Sequence, residues 1–298
     1  MGTLGILISL ALLMYLAYRG INVLILAPLL ALLALLFSGD IAMLLPTYTQ
    51  VFMKAMGGYV IQFFPLFLLG ALFGKLMDDS GSARAIAHGI VAKVGSQRAI
   101  LAIVLACGIL TYGGVSLFVV AFAVYPIGAA LFREAAIPKR LIPGAIALGS
   151  FTFTMTALPG TPAIQNAIPN PFFGTDAFAA PGLGLIAGLI MFGLGTWWLT
   201  AQARKLKAAG EGYGEHRDDP VAEDNRSIPG FWLALLPILL VIVLNFLMAK
   251  QVLPSLDASY LAKPEFGGLQ DAKSLIGIWS IIVALSAAIL LLIALHWQ

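Results

Sequence analysis

Two groups of uncharged polar residues sit at breaks in long apolar stretches, and through them this chain could do chemistry. The first is Thr111, Tyr112, Gly113, Gly114 and Ser116. The second is Thr154, Thr156, Thr161, Gln165, Asn166 and Asn170, in a segment that also carries Pro159, Gly160, Pro162, Pro169 and Pro171. Those prolines cannot all lie in one helix interior, because each removes an N–H and clashes with the preceding turn. The paired glycines let the chain turn and expose N–H groups at the start of the following arm. Thr161-Pro162 reads as an N-cap followed by a proline at the first helical position, so a short helix is expected to restart there. A full capping box fails, because Ile164 stands where Glu or Gln is needed. A helix N-terminus carries partial positive charge and free donors. Two of them aimed at one point would bind a carboxylate without any arginine. Nearby hydroxyls and amides would then hydrogen-bond the rest of the solute. The alternative is that these groups pack helices and satisfy their own backbone.

The elements that must position these residues are membrane helices. Hydrophobic residues make up 60% of the 298-residue chain and charged residues 10%, which excludes an ordinary soluble domain. Apolar runs near 20 residues recur, so the chain is an all-α polytopic membrane protein with the lipid bilayer as its surroundings. The pI near 9.0 does not point to nucleic acid, because the basic residues sit in short loops between spans. Cys107 is the only cysteine and reads as a small packing residue. Three scattered histidines offer no zinc site. No Asp, Glu, Lys, Arg or His falls well inside a span, whereas membrane enzymes and proton pumps normally bury such groups; the sequence argues against catalysis. Of the groups that could handle a proton, Tyr112, Tyr125 and Asp176 are the local candidates. Asp176 reads as part of a wet loop and Tyr112 as a hydrogen-bond donor.

In chain order, spans are expected at about 3–18, 21–37 and 58–76, with an interfacial segment at 40–56. No basic residue precedes the first span and Arg19 follows it, so it reads as a retained span with its N-terminus outside. Residues 82–94 read as a surface helix capped by Ser82, with His88 on its solvated face. Residues 97–132 are apolar but divided at Tyr112-Gly113-Gly114, and both outer ends are basic. That pattern suggests a re-entrant hairpin, with two short spans joined by a tight external turn as the alternative. Residues 141–158 lead outward into the broken stretch, about 141–170, and 182–200 return. Residues 201–229 form a charged cytoplasmic linker. Further spans are expected at 231–248 and 275–295, separated by an external loop. Twelve Lys and Arg then fall inside and four outside, as the positive-inside rule requires.

The chain resembles the gluconate permease (GntP) family of proton-coupled carboxylate symporters. The likeness runs through Gly81-Ser82-Ala83-Arg84, the hairpin beginning TYGGVSLFVVAFAVYPIG, the break ALPGTPAIQNAIPNPFFGT and the restart IPGFWLALLPILLVIVLN. It covers essentially the whole chain. The resemblance implies the ion transporter superfamily fold: two inverted repeats, each with a re-entrant hairpin and an interrupted helix, often as a homodimer. It places the first hairpin tip at 112–116 and the first interrupted helix at 158–170. Gluconate-specific members carry an acidic residue near the tip and a His- and Pro-rich break, where this chain has Tyr-Gly-Gly and Leu-Pro-Gly-Thr-Pro. A smaller hydroxy acid or a di- or tricarboxylate is therefore open as solute. Residues 1–200 would form the first repeat and 230–298 the start of a second whose hairpin and broken helix do not arrive, so a truncated product of a longer protein is expected.

The reading is thus an inner-membrane secondary transporter importing a small organic anion, gluconate or a related hydroxycarboxylate, by proton symport. No bound cofactor or metal is expected; the proton is the coupling ion, with sodium as the alternative. The expected substrate-binding residues are Thr111, Tyr112, Gly113, Gly114, Ser116, Thr156, Pro159, Gly160, Thr161, Gln165 and Asn166. The rivals are a sodium-coupled or citrate/dicarboxylate transporter and a non-transporting membrane scaffold or half-length relative.

Overall fold

A computed structural model describes residues 2–39, 41–214, 228–266 and 273–296. It is built of helices: α1 Gly2–Tyr18, α2 Val23–Leu36, α3 Leu44–Pro46, α4 Met53–Asp79, α5 Ser82–Val94, α6 Ala99–Tyr112, α7 Leu117–Glu134, α8 Ile142–Phe151, α9 Phe153–Thr156, α10 Ile164–Ala167, α11 Asn170–Phe173, α12 Pro181–Ala208, α13 Phe231–Leu247, α14 Leu253–Ser255 and α15 Lys273–Leu295. The protein is an all-α polytopic membrane protein. Among the described residues four helical segments are long and apolar enough to cross a bilayer: Leu44–Asp79, Pro181–Ala208, Phe231–Ser255 and Leu275–Leu295. A fifth would be α5 with Ser96–Tyr112, a pair bent by 102° at its break. The charged linker residues Glu215, Arg217, Asp218, Asp219, Glu223, Asp224 and Arg226, and residues 267–272 of the external loop, lie outside the described residues.

The chain divides into two compact units, Met1–Phe64 and Pro65–Gln298. In the first, α1 and α2 pack together, with Gly5 closing on Phe37. Asn22 caps α2 by accepting a hydrogen bond from the Leu24 N–H at 2.9 Å. The segment expected to be interfacial is largely helix over its described residues, 41–56. A π-turn over Thr47–Phe52 joins α3 to α4, and Pro46 is tolerated because it falls in the opening turn, where an N–H is not needed.

The second unit contains the hairpin and the break. α6 and α7 lie side by side, with Gly128 against Ile103. At 14 residues, α6 extends about 21 Å, short of the ~30 Å hydrocarbon core of a bilayer. The turn between the arms is a Schellman motif. Gly114 takes a left-handed conformation (φ +92°), its N–H donates to the Thr111 carbonyl at 3.0 Å, and the Val115 N–H donates to the Leu110 carbonyl at 3.1 Å. α5 keeps its expected bounds and His88 is exposed, but six of its 13 residues are buried. Its N-cap is Gly81, in left-handed conformation, rather than Ser82. Ser82 is fully buried and its hydroxyl is spent on Ser80 at 2.8 Å.

α8 crosses α6 at very close range. A Cβ on Gly149 would stand 2.6 Å from the Val104 carbonyl oxygen and 2.6 Å from the Cys107 Cβ, a small-residue contact that lets two backbones approach. α8 ends earlier than sequence spacing suggests, at Phe151. Thr152 leaves helical geometry (φ −114°, ψ −113°), its hydroxyl donates to the Leu148 carbonyl at 2.6 Å, and the Thr154 hydroxyl donates to the Gly149 carbonyl at 2.8 Å. These threonines take carbonyls that a continuing helix would use. Four glycines then mould the packing of α8, α12 and the break. Gly144 in α8 faces Leu199 of α12, while Gly184, Gly188 and Gly195 of α12 face Ala157, Leu158 and Leu148.

A Gly149→Leu substitution is expected to force α6 and α8 apart, at about 1–3 kcal/mol for overpacking a tight core. A clear drop in the thermal midpoint of detergent-solubilised protein would register it. An unchanged midpoint would mean that the close approach does not hold the two helices.

Candidate functional site

The hairpin tip and the broken stretch meet. Between them lies a cavity of about 330 Å3 whose walls include Thr111, Gly114 and Ser116 from the hairpin and Pro162, Ala163 and Gln165 from the break. Gly70 and Ala71 of α4 and Leu285 of α15 also contribute to its wall. None of its lining side chains is ionisable. Gly114 admits the break at close quarters, since a Cβ there would stand 2.9 Å from the Pro162 ring. On the far side, Gly74 of α4 closes on Ser116, where a Cβ would lie 3.1 Å from the serine Cβ.

Two features give the cavity its chemistry. Ser116 is the N-cap of α7 and makes no side-chain capping bond. The N–H groups of the first turn of that 18-residue helix lack intrahelical partners, and the helix end is electropositive. Thr111 is 2% exposed, and its hydroxyl has no hydrogen-bond partner. A buried hydroxyl without a partner is costly, and this one belongs to a residue of the cavity wall. Gln165 adds an exposed amide from the opposite side.

The other expected residues do not line this cavity. The Tyr112 hydroxyl donates to the Pro159 carbonyl at 2.7 Å, tying the tip to the break. Gly113 lets the turn sit against Ile238 of α13, where a Cβ would come within 2.4 Å. Gly160, at φ +84°, lies under the Phe178 ring, and its N–H donates to the Ala177 carbonyl at 2.6 Å. The Asn166 amide donates to the carbonyls of Thr161 and Ala177, each at 3.1 Å. Thr156 is exposed away from the cavity, its hydroxyl on the Thr152 carbonyl at 3.2 Å.

The expected N-cap at Thr161 is not formed. The helix restarts at Ile164 with Ala163 as its N-cap and runs only to Ala167. Ala163 is extended (φ −60°, ψ 139°), and the Thr161 hydroxyl accepts the Ala163 N–H at 3.3 Å in a local turn. A four-residue helix presents little dipole. The cavity therefore has one helix N-terminus, that of α7, where sequence reasoning expected two.

Sequence reasoning missed Asn245. It is fully buried in α13, and its amide donates to the Gly160 carbonyl at 3.0 Å. The signal was there: Asn245 is the one amide in the apolar run 231–247. Beside it, Phe246 meets Phe178 edge to face at 5.3 Å. Lys250 pairs with Asp176 at 2.8 Å, so Asp176 is a bridged clamp on the break rather than a free loop carboxylate.

The comparisons with known proteins fit this architecture. The GntP family permease model matches residues 1–295. The chain belongs to the GntP permease family. An uncharacterized transporter of Bacillus subtilis, YxjC, is 47% identical over 306 residues, covering 98% of this chain and 64% of the relative. An uncharacterized transporter of Haemophilus influenzae is 29% identical, covering 68% of this chain and 45% of its own. The high-affinity gluconate transporter of Escherichia coli is 32% identical over 131 residues, covering 43% of this chain and 28% of its own. This permease chain spans less than two-thirds of the length of each of these relatives. No solved structure matches it. Membership makes it a multi-pass membrane protein of a transporting, not a catalysing, family.

In this permease a Gly114→Ala substitution is expected to destabilise the tip. It places a Cβ at left-handed φ, which costs about 1–2 kcal/mol, and pushes it onto Pro162. Thermal unfolding in detergent checks this; a stability equal to wild type would contradict the tight apposition of tip and break.

Proposed function

We propose that the complete protein is a secondary transporter that imports a small organic anion, gluconate or a related hydroxycarboxylate, by proton symport across the inner membrane. The observation that carries the reading is the uncharged cavity between tip and break, with the α7 N-terminus and the Thr111 hydroxyl at its wall. A helix N-terminus supplies donors and positive potential for a carboxylate without a formal charge. Thr111, Ser116 and Gln165 then offer hydrogen bonds to the hydroxyl groups of a polyol acid. A volume of about 330 Å3 suits a small ligand. The similarity to a gluconate transporter supports the solute class.

Alternating access would come from the hairpin and the broken segment moving against the flanking helices. The short α6 arm supports a re-entrant hairpin. The residues from 231 onward would open a second, inverted repeat. The N-terminus would face outward, and a homodimer is the expected assembly. Proton coupling rests on the family resemblance; Tyr112 serves as a hydrogen-bond donor in the scaffold.

The test is uptake by proteoliposomes containing the full-length protein under an imposed pH gradient, with gluconate, glycerate, 3-hydroxybutyrate and citrate offered separately. Accumulation of a hydroxymonocarboxylate that collapses with the gradient is expected. Uptake driven by a sodium gradient alone would overturn proton coupling, and uptake of citrate alone would overturn the solute class. Absence of uptake by correctly inserted protein would favour the scaffold reading.

Thr111→Val is the sharper probe. Its hydroxyl has no partner to lose within the fold, so the thermal midpoint should hold or rise. The apparent affinity for the solute should fall about tenfold, the cost of one hydrogen bond of ~1.4 kcal/mol. Unchanged affinity would remove Thr111 from the binding site.

A further inference from the structure

A second cavity, of about 620 Å3, lies at the opposite functional extreme of the molecule: it is rich in charge. It opens where the C-terminal half of α12 meets the end of α7 and the start of α6. Arg98, Arg204 and Lys207 line it, with Glu134 as its one acidic wall residue. The formal balance of these four side chains is two positive charges. Other cations at this end of the unit are engaged. Arg140 pairs with Glu211 at 2.6 Å, and Arg133 and Lys139 lie over the Tyr213 ring at 5.1 and 5.8 Å. Among the described residues, Arg98 and Arg204 have no ion-pair partner. The Lys207 ammonium reaches only the Ala135 carbonyl, at 3.4 Å.

The cavity wall holds both polar and apolar side chains. Thr196, Thr200, Ala203 and Lys207 recur on one face of α12. From Thr196 to Lys207 that face rises about 16 Å. Ile100, Leu101 and Ile137 form the apolar part of the wall. The Thr196 hydroxyl is buried without a partner, while Thr200 donates to the Thr196 carbonyl at 2.7 Å. Trp197 and Trp198, 68% and 55% exposed, project from the same helix one to two turns before Arg204. Exposed tryptophans on a membrane helix mark the headgroup level. With the tryptophans at that level, the basic groups one to two turns further along α12 would lie near the lipid phosphates.

We propose that this cavity binds the phosphodiester headgroup of an anionic phospholipid. The Arg98 and Arg204 guanidiniums would hold the phosphate, for which their planar fork is suited. Lys207 adds charge, and the apolar wall receives the upper part of one acyl chain. Basic pockets between helices at a membrane surface bind such headgroups. The net positive lining favours a lipid whose headgroup carries no compensating ammonium. This site is independent of the transport reading, because it shares no residue with the uncharged cavity.

The experiment is native mass spectrometry of the full-length protein titrated with phosphatidylglycerol and, separately, phosphatidylcholine. Phosphatidylglycerol should bind at least tenfold more tightly. The Arg98→Ala/Arg204→Ala double variant should lose that preference, and Arg98→Lys/Arg204→Lys should keep most of it, with circular dichroism confirming equal helicity. The wild-type preference stands as a test even if the alanine variant does not fold. Equal binding of the two lipids, or an unchanged preference in a folded alanine variant, would overturn the assignment. So would displacement of phosphatidylglycerol by equimolar inorganic phosphate, which would make this a site for soluble anions.

Discussion

The structure depends on one constraint: backbone polar groups freed at a break must find partners without water. Two breaks lie in the second unit, at the hairpin tip and over residues 152–163, and each is satisfied largely by the other or by neighbours. The tip closes its own carbonyls through the Gly114 turn. Tyr112 then crosses to Pro159, Asn245 reaches Gly160, and Asn166 stitches Thr161 to Ala177. Irregular backbone at membrane depth is tolerated only where protein or a wet cavity surrounds it. Here protein surrounds both breaks, and the Thr111 hydroxyl is left without a partner at the cavity wall.

That arrangement explains why the cavity carries no ionisable side chain. A buried arginine needs a partner whenever the site is empty. A helix N-terminus supplies weaker but permanent positive potential and needs no counter-charge. Among the described lining residues the Thr111 hydroxyl is the one buried side-chain group left unpaired, so it has much to gain from a ligand. Formal charge is placed away from the cavity: Asp176 and Lys250 lock the break from outside, and the arginines gather at the far ends of the hairpin arms.

Much of this was legible in the sequence because proline and glycine act locally. The turn at Gly114 and the disruption after Leu158 follow from residue type alone, as do the long apolar helices. The same reasoning failed where tertiary partners decide. Ser82 was a sound N-cap on composition, yet burial and Ser80 claimed its hydroxyl. Thr161-Pro162 had the right order for a helix start, but the extended chain after Pro162 moved the cap to Ala163. The helix ended at Phe151 rather than at Pro159, because Thr152 and Thr154 donate to preceding carbonyls, which spacing alone does not reveal. Asn245 stands out as the lone amide of its apolar run, but what it holds is not legible, because its partner lies 85 positions away.

The most direct test of the account asks whether solute occupies the space between tip and break. Ser116→Cys and Gln165→Cys would be made singly in full-length protein whose buried Cys107 is replaced by alanine. Labelling by a membrane-impermeant thiol reagent would then be timed with and without the transported anion. The account predicts that solute slows labelling at both positions, because both line one cavity. Intact transport with unchanged labelling at both would contradict it and would place the binding site elsewhere in the protein.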